Sequence, residues 1–468
     1  MEGRKPDGME ERLRRVAVLG AGGKMGSGIA WVVLQIMARL DAKSSGVPGS
    51  GSFELVLIDS NPEGFKRLRA YLRSQLQKSA EKSIGELRGW ARERVELIEN
   101  GEIIAAYVDG AMSMLRCETE LMGAKDAGLV FEAVFEDLKL KTDLYARLKA
   151  LGRADAYYLT NTSSIPISIL DKSAGLEGRI LGFHFYNPPA VQKLVEMITG
   201  PETRPELVAL GNALGMAFGK LVVPSRDVAG FIGNGHFIRD GLFALRKFRE
   251  LRGTFGEAGA LLLINRVTQD FLIRPMGIFQ LMDYVGLDVF RMIMGVMGEH
   301  LGAEEFRDET VDGWLTAGVK GGQLGSGEQK DGLFKYDRNK IAGVFEGRGD
   351  EPGKAEYQGN GYVSVADKER FAKVSEWLGP LPEGHAAWSA LSRDPARIAK
   401  LEAYFASLAK AGSPGASLAR EFLDHSRRVA LALEQAGVAE SQSDVTRVLM
   451  NGFYHLYGPA DWTRGVRA

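Results

Sequence analysis

The chain has 468 residues and a formal net charge of −1, and its 45% hydrophobic and 25% charged residues are typical of a water-soluble protein of about three domains. This balance provides no positive field that would attract nucleic acid or an anionic membrane. The single cysteine, Cys117, excludes an internal disulfide and a metal site made of several cysteines, so we expect no metal. The charged first residues lack the apolar core of a secretory signal, and no uncharged apolar run approaches the roughly 18 residues that span a bilayer, which together predict a cytoplasmic protein.

The first predicted element is the short apolar strand RVAVLG, which leads into a glycine-rich turn and a helical apolar pattern. In this context a glycine turn lets the backbone approach a pyrophosphate, while the helix N-terminus supplies N–H donors. Gly20, Gly22 and Gly26 form GxGxxxG, one residue longer than the usual loop; alternatively, Ala21 takes the place of the first glycine, followed by Gly23 and Gly26. The pattern predicts a dinucleotide site with the turn residues Gly20, Gly22, Gly23, Lys24, Met25 and Gly26.

The second predicted strand is FELVLIDS, preceded by a Gly/Ser-rich segment at 42–52 that we interpret as a flexible surface insertion. Asp59 lies at the carboxyl end of this strand. A carboxylate there accepts hydrogen bonds from ribose hydroxyls and repels a 2′-phosphate, which favours NAD over NADP. A compatible alternative is that Asp59 caps the helix that begins after Asn61. Residues 63–100 carry Arg, Lys, Glu and Leu at helical spacing and predict a helical hairpin.

Two more buried strands follow, GLVFEAV and AYYLTN, separated by a helix that begins at Glu136. The second of them ends in NTSS, which places Ser163 and Ser164 just beyond a strand's carboxyl end. Parallel sheets bind their ligands at that edge. We therefore expect these serines on the same edge as the glycine turn.

The next segment, RILGFHFYNPPAVQKLVEMITG, is where the polar chemistry of the chain converges. It predicts a strand over 179–183, a polar corner that includes His184, and a second strand over 194–198. Glu196 interrupts an apolar run, and a buried carboxylate is costly unless it has a partner. A pair with His184 would fix the imidazole tautomer and keep the ring basic, as a general base requires. The alternative is a structural histidine and a glutamate that pairs with an arginine.

These segments resemble the 3-hydroxyacyl-CoA dehydrogenase family. The matching pieces run in order from Val16 to Asp288 and include VAVLGAGGKMGSGIA, LVLIDSNPEG, NTSSIPIS, GRILGFHFYNPPAVQKLVEMI and RPMGIFQLMDYVGLD. The internal spacings also agree with the family's site, since Ser163 precedes His184 by 21 residues and Glu196 follows it by 12. Asn234 follows His184 by 50 residues.

The resemblance implies an α/β Rossmann-type N-terminal domain with a parallel sheet, followed by all-α C-terminal domains. It implies NAD as the cofactor and oxidation of the 3-hydroxyl of an (S)-3-hydroxyacyl-CoA in fatty-acid β-oxidation or a related acyl-CoA pathway. His184 would be the base that Glu196 holds, and Ser163 and Asn234 would bind the reacting oxygen or the thioester carbonyl. The other implied contacts are Asn187 in the substrate pocket, Asp59, Glu136, Lys141 and Asn161 at the NAD, and Lys82 and Lys141 at the coenzyme A.

The predicted domains are an NAD-binding domain at 1–225, a first helical domain at 226–337, a linker and irregular region at 338–399, and a second helical lobe at 400–468. The last lobe weakly repeats the first, because DVTRVLMNGFYHLYGP echoes VTQDFLIRPMG. In the family the helical domain also forms the dimer contact, and a second copy would cover that apolar face. We therefore expect a monomer or a homodimer through the helical region.

The chain departs from the family in the longer glycine loop, the 42–52 insertion, the corner NPPAVQ, and segment 325–336, where Lys330 only weakly matches a lysine that usually meets the NAD.

Two other functions remain open. One is a β-hydroxyacid dehydrogenase, which needs a lysine where this chain has Phe237. The other is a catalytically silent dinucleotide-binding protein. We expect ordinary surface or core roles for His385, His425 and His455.

Overall fold

The structure is a computed structural model that describes residues 8–302, 304–324, 327–347 and 361–460. It divides the chain into two compact units, Met1–Val228 and Ala229–Ala468. The parts of the predicted domains that fall on residues 1–7, 303, 325–326, 348–360 and 461–468 lie outside the described residues.

The first unit is built on an eight-stranded sheet with the order β3-β2-β1-β4-β5-β6-β7-β8. Every neighbouring pair is parallel except β6 and β7, which are antiparallel. The central strands β4, β5 and β6 are buried along their whole length, as in parallel sheets with helices on both faces. The strands are β1 Arg15–Leu19, β2 Glu54–Ile58, β3 Leu115–Glu118, β4 Leu129–Glu132, β5 Tyr157–Thr160, β6 Ile180–Phe185, β7 Leu194–Thr199 and β8 Leu221–Arg226.

The helices of the first unit connect these strands, and α1 to α5 and α8 share one apolar core with them. The longest, α2, buries the apolar positions that predicted it, including Ile29, Val33 and Met37. The helices are α1 Met9–Leu13, α2 Lys24–Ser45, α3 Glu63–Lys82, α4 Ile84–Trp90, α5 Asn100–Ser113, α6 Leu138–Leu151, α7 Ile167–Ala174 and α8 Pro205–Ala217. The predicted Rossmann-type α/β fold is confirmed.

Three local predictions in this unit need correction. The 42–52 segment is ordered rather than flexible: α2 continues to Ser45, and buried Asp41 accepts hydrogen bonds from the N–H groups of Gly49 (2.7 Å) and Ser50 (3.0 Å). The predicted helical hairpin is a larger helical layer, because α3 packs against α5 and into the sheet's own core. His184 lies within β6 instead of at the corner that follows it.

The second unit is mainly helical and has its own core, which extends from Ala229 to Tyr457. Helix α9 is its longest element and has a kink at Gly256, whose φ is 72°. The helices are α9 Gly233–Arg266, α10 Ile278–Val285, α11 Leu287–Leu301, α12 Glu309–Thr316, α13 Ala372–Leu378, α14 Trp388–Leu391, α15 Arg397–Lys410, α16 Pro414–Gln435 and α17 Gln442–Gly452. The helical C-terminal region is confirmed.

The region 338–399, which we predicted to be an irregular linker, contains regular structure. Strands β9 Phe334–Asp337, β10 Lys340–Phe345 and β11 Tyr362–Ser364 form an antiparallel sheet, and α13 and α14 follow. The polar, glycine-rich composition concealed these strands because few of their residues are buried; Phe334, Val344 and Phe345 pack into the helical core. In the described part of the chain, no helix is long and apolar enough to cross a bilayer.

Candidate active site

The glycine turn between β1 and α2 leaves no room for side chains. Gly20 has a φ of 71°, which favours glycine, and a Cβ on Gly26 would collide with the Gly20 carbonyl oxygen. A Cβ on Gly22 would approach the Asp59 carboxylate to 2.9 Å, whereas Gly23 is less tightly confined. This favours the alignment on Gly20, Gly22 and Gly26 over the one that starts at Ala21. The turn ends at Gly23, the N-cap of α2, so exposed backbone N–H groups begin where a pyrophosphate would bind.

The Asp59 carboxylate binds the backbone of the glycine turn and of the loop after β2, but it does not cap α3, whose N-cap Pro62 has no side-chain hydrogen bond. Its Oδ2 accepts a hydrogen bond from the Gly22 N–H (2.8 Å), and its Oδ1 accepts one from the Asn61 N–H (2.9 Å). The carboxylate is half-buried beside the glycine turn, and each oxygen keeps a second lone pair for a ribose hydroxyl. The turn and the acid together fit a dinucleotide.

His184 and Glu196 are brought together by the register of the antiparallel pair β6–β7, in which they are directly opposite residues. The His184 Nδ1 lies 3.2 Å from Glu196 Oε2. Glu196 is fully buried and His184 is 8% exposed. Because an ionised carboxylate only accepts hydrogen bonds, this contact places the proton of the neutral ring on Nδ1 and leaves Nε2 as the basic atom.

Tyr186 is a member of this cluster that the sequence analysis missed. Its hydroxyl donates a hydrogen bond to the same Oε2 of Glu196 at 2.7 Å, and its ring lies 4.9 Å from that of His184. Burial and the adjacent Glu196 raise the pKa of Tyr186 well above its usual value, so the hydroxyl remains a donor. The only sequence signal was the spacing of two residues from His184, which places both side chains on one face of the strand.

The turn after β5 is organised by the Glu136 carboxylate. Its Oε1 accepts hydrogen bonds from the Thr162 hydroxyl (2.5 Å), the Ser163 N–H (2.9 Å) and the Ser164 hydroxyl (3.0 Å). Burial opposes ionisation, but Lys141 and the Thr162 hydroxyl lower the pKa of Glu136 below its usual value. Glu136 thus fixes the backbone that carries Ser163, which is half-buried.

Lys141 departs from expectation because it faces the interior. It is 1% exposed, and its Nζ contacts Glu132 Oε1 (2.8 Å) and Glu136 Oε2 (3.0 Å). Burial lowers the pKa of the lysine, but the two carboxylates outweigh burial and raise it. A direct contact of Lys141 with NAD or coenzyme A is therefore not supported; it holds Glu132 and Glu136 in place. The sequence analysis missed Glu132, which appeared to be an ordinary residue of an apolar strand.

The four remaining predicted site residues differ in their burial and in the elements that carry them. The Asn161 side-chain oxygen accepts a hydrogen bond from the Phe185 N–H (2.8 Å), so it joins β5 to β6 beside His184. Asn187 is half-buried just after β6, and Lys82 is exposed at the last residue of α3. Asn234 belongs to the second unit, in the first turn of α9.

The corner after β6 packs against the helix of the glycine turn. A Cβ on Gly28, one turn into α2, would lie 2.8 Å from the Pro189 ring, so glycine is needed for this close approach. The strand that carries His184 therefore leads directly onto the helix whose N-terminus borders the dinucleotide turn. This contact brings the base and the predicted cofactor turn to the same edge of the sheet, as the sequence suggested.

Comparison with known proteins identifies the same combination of domains. The family model "3-hydroxyacyl-CoA dehydrogenase, NAD binding domain" matches residues 15–228, and the model of the same family's C-terminal domain matches residues 260–331. The chain belongs to the 3-hydroxyacyl-CoA dehydrogenase family. It is an oxidoreductase of this family, and its cofactor is NAD. In the helical region Phe237 is 3% exposed, where a β-hydroxyacid dehydrogenase would need its lysine.

Relatives of the 3-hydroxyacyl-CoA dehydrogenase family cover most of the chain at moderate identity. A probable 3-hydroxybutyryl-CoA dehydrogenase of Deinococcus radiodurans is 28% identical over 330 residues, which are 69% of this chain and 100% of that protein. The fatty acid oxidation complex subunit alpha of Shewanella oneidensis is 27% identical over 353 residues, 74% of this chain and 44% of that subunit.

Among solved structures, the 3-hydroxybutyryl-CoA dehydrogenase of Escherichia coli K12 has the same fold over nearly the whole chain. Its TM-score is 0.62 at 23% identity, and the match covers 96% of this chain and 91% of that one. An (S)-3-hydroxybutyryl-CoA dehydrogenase from Ralstonia eutropha matches 66% of this chain and 95% of its own, with a TM-score of 0.51 at 22% identity. The fold of the second half is therefore shared with a dehydrogenase of similar length.

Proposed function

We propose that this family member oxidises the 3-hydroxyl of an (S)-3-hydroxyacyl-CoA to the 3-oxo form, with NAD, in fatty-acid β-oxidation or a related acyl-CoA pathway. The observation that carries the proposal is the contact between His184 and Glu196 at the edge of an NAD-binding sheet. The relatives from Deinococcus and Shewanella, named for 3-hydroxybutyryl-CoA and fatty acid oxidation, support an acyl-CoA substrate.

In this mechanism the residues of the chain bind, orient and move one proton. Nε2 of His184 takes the proton of the 3-hydroxyl, and Glu196 stabilises the imidazolium that forms. Ser163 would donate a hydrogen bond to an oxygen atom of the substrate, and Asn187 would line the same pocket. For Asn234, a role at the substrate's oxygen atoms rests on the family resemblance alone. Hydride acceptance from C3 is the chemistry that a bound nicotinamide supplies.

The NAD would be held by the glycine turn and Asp59, and its pyrophosphate would lie at the N-terminus of α2. Gly22, Gly26 and Asp59 supply the space and the ribose acceptor. Glu136 and Asn161 act nearby by shaping the strand ends on either side of the site. Lys82, exposed on α3, remains the candidate contact for coenzyme A.

The direct test is NADH oxidation with acetoacetyl-CoA and, in parallel, with a long-chain 3-oxoacyl-CoA. We expect His184→Gln to lower kcat by about 10²–10⁴-fold, because a positioned base contributes that much, while the Kd for NADH changes little. His300→Gln, a half-buried histidine of α11, is the matched control and should retain wild-type kcat.

Two results would refute the proposal. The first is a wild-type protein that oxidises NADH with neither substrate. The second is a His184→Gln variant that loses NADH affinity as much as it loses kcat, since this would make His184 structural. The ratio of the two wild-type kcat/KM values would assign the acyl length.

A further inference from the structure

A cavity of about 290 Å³ in the second unit is lined mainly by arginines. Arg239, Arg246 and Arg249 lie along one face of α9, at spacings that place residues side by side on a helix. Arg307 approaches from the segment after the short 3₁₀ turn Glu304–Phe306. The other lining residues are Leu242, Glu305, Asp308 and His425.

Two of the cavity's four positive charges are balanced within the cavity. Arg249 pairs with buried Asp308, whose other oxygen accepts a hydrogen bond from the Thr310 N–H (2.9 Å). Glu305 faces Arg239. Among the lining residues, four arginines face two carboxylates, Glu305 and Asp308. The cavity therefore has an excess of two positive charges.

The arginines are also held in place before any ligand arrives. The Arg239 guanidinium lies 5.1 Å from the centre of the Phe306 ring and donates a hydrogen bond to the Gly235 carbonyl (2.8 Å). Arg246 lies 5.4 Å from the centre of the Phe243 ring. These contacts restrict long side chains, so that less conformational entropy is lost when an anion binds.

The guanidinium groups of the cavity are partly desolvated, so their charges interact more strongly with a ligand than the charge of an ordinary surface arginine does. Burial lowers the pKa of Arg239, which indicates that its charge is poorly hydrated. Burial also lowers the pKa of His425 at the cavity wall, and the nearby Arg246 and Arg428 act in the same direction. A neutral His425 adds no charge, so the anion would be held by arginine.

We propose that this cavity is a binding site for a phosphate monoester. Guanidinium groups match the geometry of phosphate oxygens in pairs, and two uncompensated charges match a dianion. The volume is near the lower limit of small-molecule sites, which suits a phosphoryl group with a sugar-sized substituent but not a dinucleotide. The site is separate from the glycine turn, because every lining residue belongs to the second unit.

The experiment is isothermal titration calorimetry on the full chain saturated with NAD, so that the dinucleotide site is filled. Inorganic phosphate, ribose 5-phosphate and adenosine 3′,5′-bisphosphate are the three probes, and sodium chloride keeps the ionic strength constant. We expect one equivalent of ligand to bind. The double variant Arg246→Gln/Arg307→Gln should weaken binding by at least about tenfold, because two charge-assisted hydrogen bonds are lost.

Arg252→Gln is the matched control, since Arg252 is exposed on the same helix but does not line the cavity. It should bind like the wild type, and both variants should retain dehydrogenase kcat. Tightest binding of inorganic phosphate would assign a free anion, and tighter binding of either ester would assign the corresponding sugar or nucleotide. Absence of binding by all three probes, or equal affinity in the double variant, would overturn the proposal. Because the readout is binding, it does not depend on dehydrogenase activity.

Discussion

At the scale of single residues, the candidate site depends on one shared oxygen atom. Glu196 Oε2 accepts from the Tyr186 hydroxyl and lies against the His184 Nδ1. Two donors on one oxygen divide its negative charge, so Tyr186 weakens the hold of Glu196 on the imidazole proton. Tyr186 is therefore a positioning residue, which acts on His184 through the carboxylate oxygen that they share.

Tyr186→Phe tests this arrangement. We expect the acid limb of the kcat/KM profile to move to higher pH by about 0.5–1 unit, the size expected from the loss of one hydrogen bond to a charged group. The measurement is oxidation of (S)-3-hydroxybutyryl-CoA by NAD between pH 5 and 9, the direction in which His184 acts as a base. Tyr158→Phe is the control, because the buried Tyr158 hydroxyl has no hydrogen-bond partner within the described residues. An identical profile in Tyr186→Phe and wild type would show that the tyrosine only fills space.

At the scale of elements, the packing of α9 against α16 encloses an unusual set of ionisable groups. Ser426 on α16 contacts the His236 ring (2.9 Å), and His425 on α16 and Arg274 lie 3.8 and 3.5 Å from Asp240 on α9. The sequence analysis did not predict the approach of His425 to Asp240, because the two residues are 185 positions apart in the chain. Helices α9 and α16 and the connection before α10 thus bring His236, His425 and Arg274 around one carboxylate, Asp240.

These histidines predict a loss of stability in acid. Burial lowers the pKa of His236 and His425, and it lowers the pKa of His455 well below its usual value of 6.5. The unfolded chain therefore binds more protons than the folded chain below about pH 6.5, so the free energy of unfolding falls as pH decreases, by up to about 1.4 kcal/mol per pH unit for each histidine.

His455→Phe should reduce the number of protons taken up on unfolding by about one, so the free energy of unfolding should depend less steeply on pH. Phenylalanine should fit at this position, because Phe453 and Tyr457 already surround the ring with aromatic groups. Urea unfolding between pH 7.5 and 5.5 measures the slope for the wild type, for His455→Phe and for the control His300→Gln. A slope that is unchanged in His455→Phe would show that the folded protein accommodates the protonated ring.

At the scale of the whole molecule, the C-terminal helices act as an internal partner for α9. Phe243 of α9 packs edge-to-face on Phe422 of α16 (4.8 Å between ring centres) and stacks on His425 (4.3 Å). Both helices belong to one apolar core. This apolar face of α9 is thus covered by a helix of the same chain.

We therefore expect a monomer. Light scattering after size-exclusion chromatography, at several loading concentrations, should give the mass of one chain throughout. Phe422→Ala should destabilise the second unit by about 3–5 kcal/mol, because truncation of a buried aromatic leaves a cavity. A wild-type mass of two chains that is independent of concentration would contradict this expectation.

The sequence alone determined the elements whose signal is local. Turn glycines, a strand that ends in Asp59, and an ordered set of family motifs were sufficient for the Rossmann-type unit, its NAD and the pairing of His184 with Glu196. Each of these depends on backbone constraints or on short-range periodicity. The helical character of the second unit also followed from periodicity.

Only the tertiary structure decided which charges are buried and what they face. In the folded protein Lys141 points inward and pairs with Glu132, and the Tyr186 hydroxyl binds Glu196. The 42–52 segment is bound to Asp41 through its backbone, and the region predicted to be a linker contains strands of a sheet. These outcomes depend on contacts between residues distant in sequence. Desolvation and ion pairing are set by such contacts, and no local pattern encodes them.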